Sequence, residues 1–367
     1  MKKILHVSKY YPPHIGGIED MCHSIVEVCK GYFEQKVFCY NSHKNNIIEV
    51  FDGVEIIRSS LSFSISSQPI SLSYYFNYRS LLKTFKPDIV HFHYPNPYGA
   101  FYINLITPKK IRVILHWHSD IIEQRFLYFL VKPFEMILLK RSEIILCTSP
   151  NYIEASVPLK KFKKKTKVLQ NVISPRKILD VNLVKVNNII NKYKSPIILF
   201  LGRHVKYKGL KYLIEAERYI KSNCEILIGG DGPLTEELRN SSKSKRIHFI
   251  GRIDENDLVD YYKAAQIFAF PSITKNEAFG VALAEAMYYG CVPVTFTIEG
   301  SGVNWVNLNN VTGLEVPSFD YIEYANAIDR LLTNPELLNR LSNGAIERSK
   351  SLFTIDSIKE KLVEIYS

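Results

Sequence analysis

Short apolar segments alternate with longer amphipathic ones along this chain, and the pattern runs through twice. A short apolar run bounded by turn residues fits a strand buried on both faces, and an apolar repeat near 3.6 residues fits the helix that covers it. The alternation predicts parallel α/β sheets, one in each half. Candidate strands in the first half are Ile4–Ser8, Lys36–Tyr40, Ile89–His93, Val113–His116 and Ile144–Cys147, with helices at about Ile18–Lys30, Tyr74–Phe85 and Ile121–Lys140. In the second half the strands are Ile197–Leu201, Glu225–Ile228, Ile247–Ile250, Ile267–Phe270 and Val292–Thr295. Helices there fit Leu210–Ile220, Leu234–Arg239, Glu255–Ala264, Val281–Tyr289 and Tyr321–Leu332. The polar, Asn- and Lys-rich stretch Asp180–Lys194 reads as surface connection, and a last helix near Ile355–Tyr366 has no strand after it.

A length of 367 residues suits two domains. Two doubly wound domains in tandem set the carboxyl ends of two sheets toward an interdomain cleft, where ligands of such sheets bind. With 46% hydrophobic and 23% charged residues, the chain is neither disordered nor collagenous. No run of about 18 apolar residues occurs, and the longest uncharged run, Ser59–Tyr78, is rich in Ser. Met1-Lys2-Lys3 leads into a short apolar run, Ile4–Val7, that a polar loop cuts off, which is unlike a secretory leader. The expectation is a cytoplasmic protein, soluble or attached to the inner face of the plasma membrane. Cys22, Cys29, Cys39, Cys147, Cys224 and Cys291 form no C-x-x-C pair and read as reduced, mostly buried thiols.

The net charge of +11 is lopsided. Residues 1–170 hold 23 basic and 13 acidic side chains, and the remainder 24 and 23. One basic half points to a single face turned toward something anionic, rather than to a nucleic-acid binder. The densest run, Lys160-Lys161-Phe162-Lys163-Lys164-Lys165 with Lys167 beyond, either holds anionic lipid at about 1 kcal/mol per residue or is a solvated loop.

Four constellations carry chemistry. Glu277-Ala278-Phe279-Gly280-Val281 leads through to Glu285 after a strand and a Pro271-Ser272 turn. Eight residues of helix span about 12 Å, too far for two carboxylates to act on one bond but suited to two ends of an extended ligand. The helix beginning near Gly280 offers free N–H groups to a phosphate. Second, Gly202-Arg203-His204-Val205-Lys206-Tyr207-Lys208-Gly209 follows a strand directly, and a guanidinium fork with an ammonium suits a diphosphate. Third, Gly16-Gly17 lets backbone amides approach phosphate at a helix start, with Glu19 and Asp20 complementing the helix dipole. The fourth is a pair of H-x-H motifs, His91/His93 and His116/His118, each sharing one strand face. Their expected use is hydrogen bonding to ligand hydroxyls, with His93, His116 and Asp120 on the acceptor side and no metal. No D-x-D motif occurs, so a diphosphate here would be neutralised by Arg, Lys and amides.

Gly16-Gly17, His118, Gly202-Arg203 with Lys208-Gly209, Gly229-Gly230-Asp231-Gly232-Pro233, and Glu277 through Glu285 together resemble the family-four retaining glycosyltransferases of GT-B architecture. His116-Trp117-His118-Ser119-Asp120-Ile121 and Ser301-Gly302-Val303-Asn304-Trp305-Val306-Asn307 are similar to the bacterial branch that builds O-antigen or capsule. The resemblance implies an acceptor-binding Rossmann-like domain at 1–174, with helix 352–367 crossing back to it, and a donor-binding one at 175–351. It implies that Arg203 and Lys208 hold the donor diphosphate, and that Glu277 and His118 sit at the donor sugar. By the same resemblance, Glu285 takes the ribose hydroxyls, Phe279, Gly280 and Val281 offer amides, and Gly16, Gly17 and Gly202 lie near phosphate. Arg252 and Ile253 would meet the base. The implied reaction moves a hexose from a GDP- or UDP-linked sugar, leaning to GDP-mannose, onto a lipid-linked saccharide without a divalent metal. The first domain's Tyr74, Tyr75, Phe76 and Tyr78, and Arg125 through Leu130, either suit such an acceptor at a membrane surface or are simply core. A sugar-nucleotide epimerase of the same layout is the alternative, though no acid–base carboxylate cluster around one carbon is evident.

Overall fold

A computed structural model of the chain describes residues 1–65, 68–121 and 125–367. The chain forms two compact units, Met1–Ser174 with Ile355–Ser367, and Pro175–Thr354.

The first unit runs β1 (Lys3–Val7), α1 (Gly17–Val28), β2 (Glu34–Tyr40), β3 (Ile47–Phe51), β4 (Val54–Ser59), the small antiparallel pair β5 (Phe63–Ile65) and β6 (Gln68–Ile70), and α2 (Tyr74–Thr84). It continues with β7 (Ile89–Tyr94), α3 (Pro97–Ile106), β8 (Arg112–Trp117), α4 (Arg125–Arg141), β9 (Ile144–Cys147), α5 (Pro150–Ala155) and β10 (Thr166–Val168). Its main sheet has the order β10-β9-β8-β7-β1-β2-β4-β3, parallel except for β3 against β4. The chain builds from β1 one way and from β7 the other, so the order reverses between those two strands. Crevices for ligands open at such a reversal, outside the carboxyl ends of the strands.

The second unit contains α6 (Leu183–Tyr193), β11 (Ile197–Leu201), α7 (Leu210–Glu217), β12 (Glu225–Gly229), α8 (Thr235–Ser241), β13 (Ile247–Gly251) and α9 (Glu255–Ala264). Then follow β14 (Ile267–Phe270), α10 (Val281–Tyr288), β15 (Val292–Phe296), α11 (Val303–Val306), β16 (Leu314–Val316), α12 (Tyr321–Leu332) and α13 (Pro335–Leu352). Its strands are all parallel, in the order β13-β12-β11-β14-β15-β16, with the reversal between β11 and β14. Strand β11 is wholly apolar and wholly buried, as a central parallel strand must be. The last helix, α14 (Asp356–Tyr366), completes the core of the first unit, where Leu362 and Tyr366 pack with Ile4, Met21, Ile25 and Ile114.

All six cysteines are buried free thiols. Among the described residues no helix is long and apolar enough to cross a membrane.

The stretch 180–194, expected to be connection, contains α6. Asn182 caps it by accepting from the Val184 and Lys185 amides, and only Val186 is buried, so its exposed polar face disguises the helix. Helices α3 and α13 also went unread, although Asn96 with Pro97 and Asn334 with Pro335 are cap-plus-proline starts. Of the expected helix from Ile121, residues 122–124 and the side chains of Arg125, Phe126 and Leu127 lie outside the described residues.

Candidate active site

In the second unit, the loops after β11 and β14 flank the strand-order reversal and are laced together. The Tyr207 carbonyl accepts from the Ile273 amide at 2.9 Å, and the Lys208 ammonium pairs directly with the Glu277 carboxylate. Both side chains of that pair are close to buried, and Lys208 lies over the Phe270 ring at 5.0 Å. Burial works against the lysine's charge, but Glu277 and Tyr207 outweigh it, so its pKa is raised. Ser272 Oγ also reaches Glu277, and the Ser301 hydroxyl donates to the Glu277 carbonyl. Gly209 makes this junction possible. Its φ is +67°, and a Cβ there would stand 1.9 Å from the Pro271 carbonyl oxygen.

Arg203 is exposed at the same end of β11, and its side chain has no ion-pair partner among the described residues. Gly202 bonds back to the Gly229 carbonyl, and the His204 amide to that of Asp231, which threads the Gly229–Pro233 turn against the Arg203 loop. A Cβ on Gly230 would meet the Gly202 carbonyl at 2.0 Å. Past β13, Arg252 is exposed, 4.0 Å from Asp231, and Ile253 is half-buried.

Glu277 stands on the loop, not on the helix. The helical rise therefore runs only from Val281 to Glu285, and the 12 Å spacing expected for the two carboxylates does not apply. Gly280 caps α10 in a left-handed conformation, φ +89°. Phe279 is buried against Trp305 and Phe353. Glu285 is also buried, accepting from Tyr262 at 3.0 Å and pairing with Lys177 at 3.0 Å. Neither partner was read from the sequence, because Lys177 lies 108 positions away and no local pattern marks it.

In the first unit, the loop after β1 is clamped by buried Arg58, which donates to the Tyr11 carbonyl at 3.0 Å and pairs with Glu49 at 2.7 Å. Gly16 precedes α1 and Gly17 opens it. The Glu19 carboxylate folds back onto the space beside Gly16, so a carboxylate already stands at this helix start. Burial raises its pKa.

His91, His93, His116 and His118 share one face of the sheet as a column of stacked rings, and His6 lies tilted against His91 at 5.6 Å. His116 and His118 lie 4.1 Å apart, and His91 and His93 4.7 Å. His91 Nδ1 meets the Tyr366 hydroxyl, and His93 Nδ1 meets His118 Nε2 at 3.0 Å. Burial holds all five rings well toward neutrality; His6 falls to about 4 and His118 to about 3. His93 and His116 are interior residues on the inner strands β7 and β8, so neither ring is open to a saccharide hydroxyl in this structure. Asp120 is committed as well, accepting from Trp117 at 3.0 Å and Ser156 at 2.6 Å. Of the H-x-H residues, His118 lies at the carboxyl end of β8, where a ligand of this sheet belongs. His91, His93 and His116 bring a ring nitrogen each within 4.8 Å of one another. Their planes are nearly parallel, 6° to 25° apart, so the in-plane lone pairs run side by side and a shared ion would need the rings to turn.

Two family descriptions match the chain, Glycosyltransferase Family 4 over residues 15–177 and Glycosyl transferases group 1 over residues 185–348. The chain belongs to the family-four glycosyltransferases. The O-antigen chain mannosyltransferase C of Escherichia coli is 27% identical, over all of this chain and 98% of that protein. The D-rhamnosyltransferase WbpZ of Pseudomonas aeruginosa is 28% identical over 96% of this chain and 92% of that one. The crystal structure of Anabaena HepE, in complex with UDP and glucose, superposes with a TM-score of 0.79 at 15% identity, covering 100% of this chain and 99% of that one. The fold of this glycosyltransferase is accordingly GT-B. An epimerase function is set aside, since the mannosyltransferase C and WbpZ relatives, which span nearly the whole chain, are glycosyltransferases.

Proposed function

We propose that this glycosyltransferase moves a hexose, mannose in the first instance, from a nucleoside-diphosphate sugar to a hydroxyl of a lipid-linked saccharide in O-antigen assembly, with retention at the anomeric carbon. The observation that carries the reading is the pairing of Lys208 with Glu277 beside the exposed Arg203, at the strand-order reversal of the second unit. The relatives' activities support the sugar class and the pathway.

In this reading Arg203 supplies a guanidinium fork to the diphosphate, and Lys208 supplies an ammonium whose position Glu277 fixes. Charge gathers on the leaving phosphate as the glycosidic bond breaks, and donors already in place are worth most at that moment. Amides at Phe279–Val281 lie at the start of α10 and add the positive end of its dipole. These groups make a divalent ion dispensable. No carboxylate in the set is free to act as a nucleophile on the sugar, so the acceptor attacks from the face the phosphate leaves, and a phosphate oxygen takes its proton. The basic first unit carries the acceptor side and faces the inner membrane surface.

A thermal-shift panel of GDP, UDP, ADP and TDP tests the donor site, because a ligand bound only by the folded state raises its melting temperature. GDP is expected to give the largest shift, and GDP-mannose to turn over in excess EDTA. No shift with any nucleotide would remove the donor assignment. EDTA-sensitive turnover would remove metal independence, and a trapped covalent glycosyl-enzyme the same-face route.

A further inference from the structure

We propose that the outward face of α3 and α4 is a docking surface for an anionic lipid bilayer. The proposal rests on the reading of the acceptor as lipid-linked, and it names where that lipid surface meets the chain.

Helix α4 packs inward through Glu135, Leu138 and Leu139, which are buried. Its opposite face shows Phe129, Leu130, Phe134 and Ile137, spaced at i, i+1, i+5 and i+8, which forms one stripe on a helix. Phe129 is 78% exposed and Leu130 67%. Helix α3 adds Phe101 and Leu105, also exposed. Phe101 meets Phe134 edge-on at 5.3 Å, and Asn104 donates to the Phe134 carbonyl at 2.8 Å, so the two helices present one continuous patch. Single exposed apolar side chains need no explanation, whereas a contiguous aromatic patch marks a contact surface.

Charge selects the occupant. Lys132 and Lys140 flank the stripe on α4 itself and are exposed. Arg141 donates to the Thr107 and Pro108 carbonyls, which draws exposed Lys109 and Lys110 alongside. Lys165 donates to the Lys140 and Ser142 carbonyls at 2.9 and 2.6 Å, which brings the lysine run 160–165 to the same end of α4. Residues 97–167 carry 13 Lys and Arg against 5 Asp and Glu. A second copy of this chain would set two such rims against each other, and like charges repel across an interface. A bilayer with anionic headgroups accepts the apolar stripe and the lysines together.

The test is co-sedimentation of the full chain with vesicles of phosphatidylglycerol and phosphatidylcholine, against phosphatidylcholine alone. The wild type is expected to sediment with the anionic vesicles only. F129S/I137S should lower partitioning at least tenfold at every salt concentration, since its loss is apolar. K160S/K161S/K163S/K164S should lower it about fivefold per lysine at low salt, and progressively less as salt screens the charges. Equal sedimentation of wild type and F129S/I137S would overturn the proposal, as would a wild-type dimer that F129S/I137S converts to monomer. A wild type that ignores vesicles but keeps its GDP thermal shift would sink the docking surface alone. Loss of that shift would sink the transferase reading instead.

Discussion

Lys208 and Glu277, from the loops after β11 and β14, pair with each other while almost withdrawn from water. Arg203, five residues before Lys208, stands exposed without such a partner among the described residues. The two cations proposed to share one diphosphate are therefore set up differently, and their variants should differ too.

Arg203→Ala should leave the melting temperature within about 1 °C of wild type, since an exposed side chain outside any network costs little. Turnover should still fall about 100- to 1000-fold, the usual effect of one lost donor at a developing anion. Parallel thermal melts and initial rates check this. Near-normal turnover would dismiss the role.

Glu277→Gln should cost stability on the order of 3 kcal/mol, because it leaves Lys208 charged and unpaired in a nearly dry position. A nucleoside diphosphate supplies the missing anion. GDP should therefore raise the melting temperature of E277Q by more degrees than that of wild type. An equal or smaller shift would separate Lys208 from the phosphate.

Gly209→Ala should behave as a local break. The left-handed backbone and the Pro271 carbonyl both exclude a Cβ, so the two loops must part. Loss of the nucleotide thermal shift, with far-UV circular dichroism unchanged, is the expected signature.

Stability should fall on acidification. Burial lowers His6 to about 4 and His118 to about 3, and lowers His91, His93 and His116 as well. The unfolded chain takes up these protons near pH 6.5, before the folded one does. The stabilisation is complete above that pH and is lost as pH falls through the folded values. His6 alone accounts for about 3 kcal/mol across the window. Burial raises Glu19 and Glu135, which act in the opposite sense, but two carboxyls oppose five imidazoles. Urea midpoints at pH 7.5, 6 and 5 measure the slope, and a flat series would contradict a neutral buried column.

The central strands and their helices were legible because a fully buried strand has little freedom in composition; Ile197–Leu201 announces itself. The edge strand β3 did not, since its alternate residues face solvent and Ile48 and Val50 lie exposed. At the site, the glycine turns and the charges between them could be read in order along the chain. What holds those charges could not. Glu285 depends on Lys177, Glu277 on Ser301, and the loop after β1 on Arg58, all contacts made by folding across long separations. That the His93 and His116 rings are interior was hidden for a related reason. A strand face says which side a ring takes, but not whether that side meets a ligand or the helix Asp356–Tyr366.

That helix also bears on how the protein is made. The first 174 residues lack Ile358, Leu362 and Tyr366 from their core until everything between has been translated. At 5–20 residues per second this delay is roughly 10–40 s, during which the nascent amino-terminal half keeps an unfilled apolar groove near the ribosome. Chaperone demand during synthesis should therefore concentrate on the half that leaves the ribosome first.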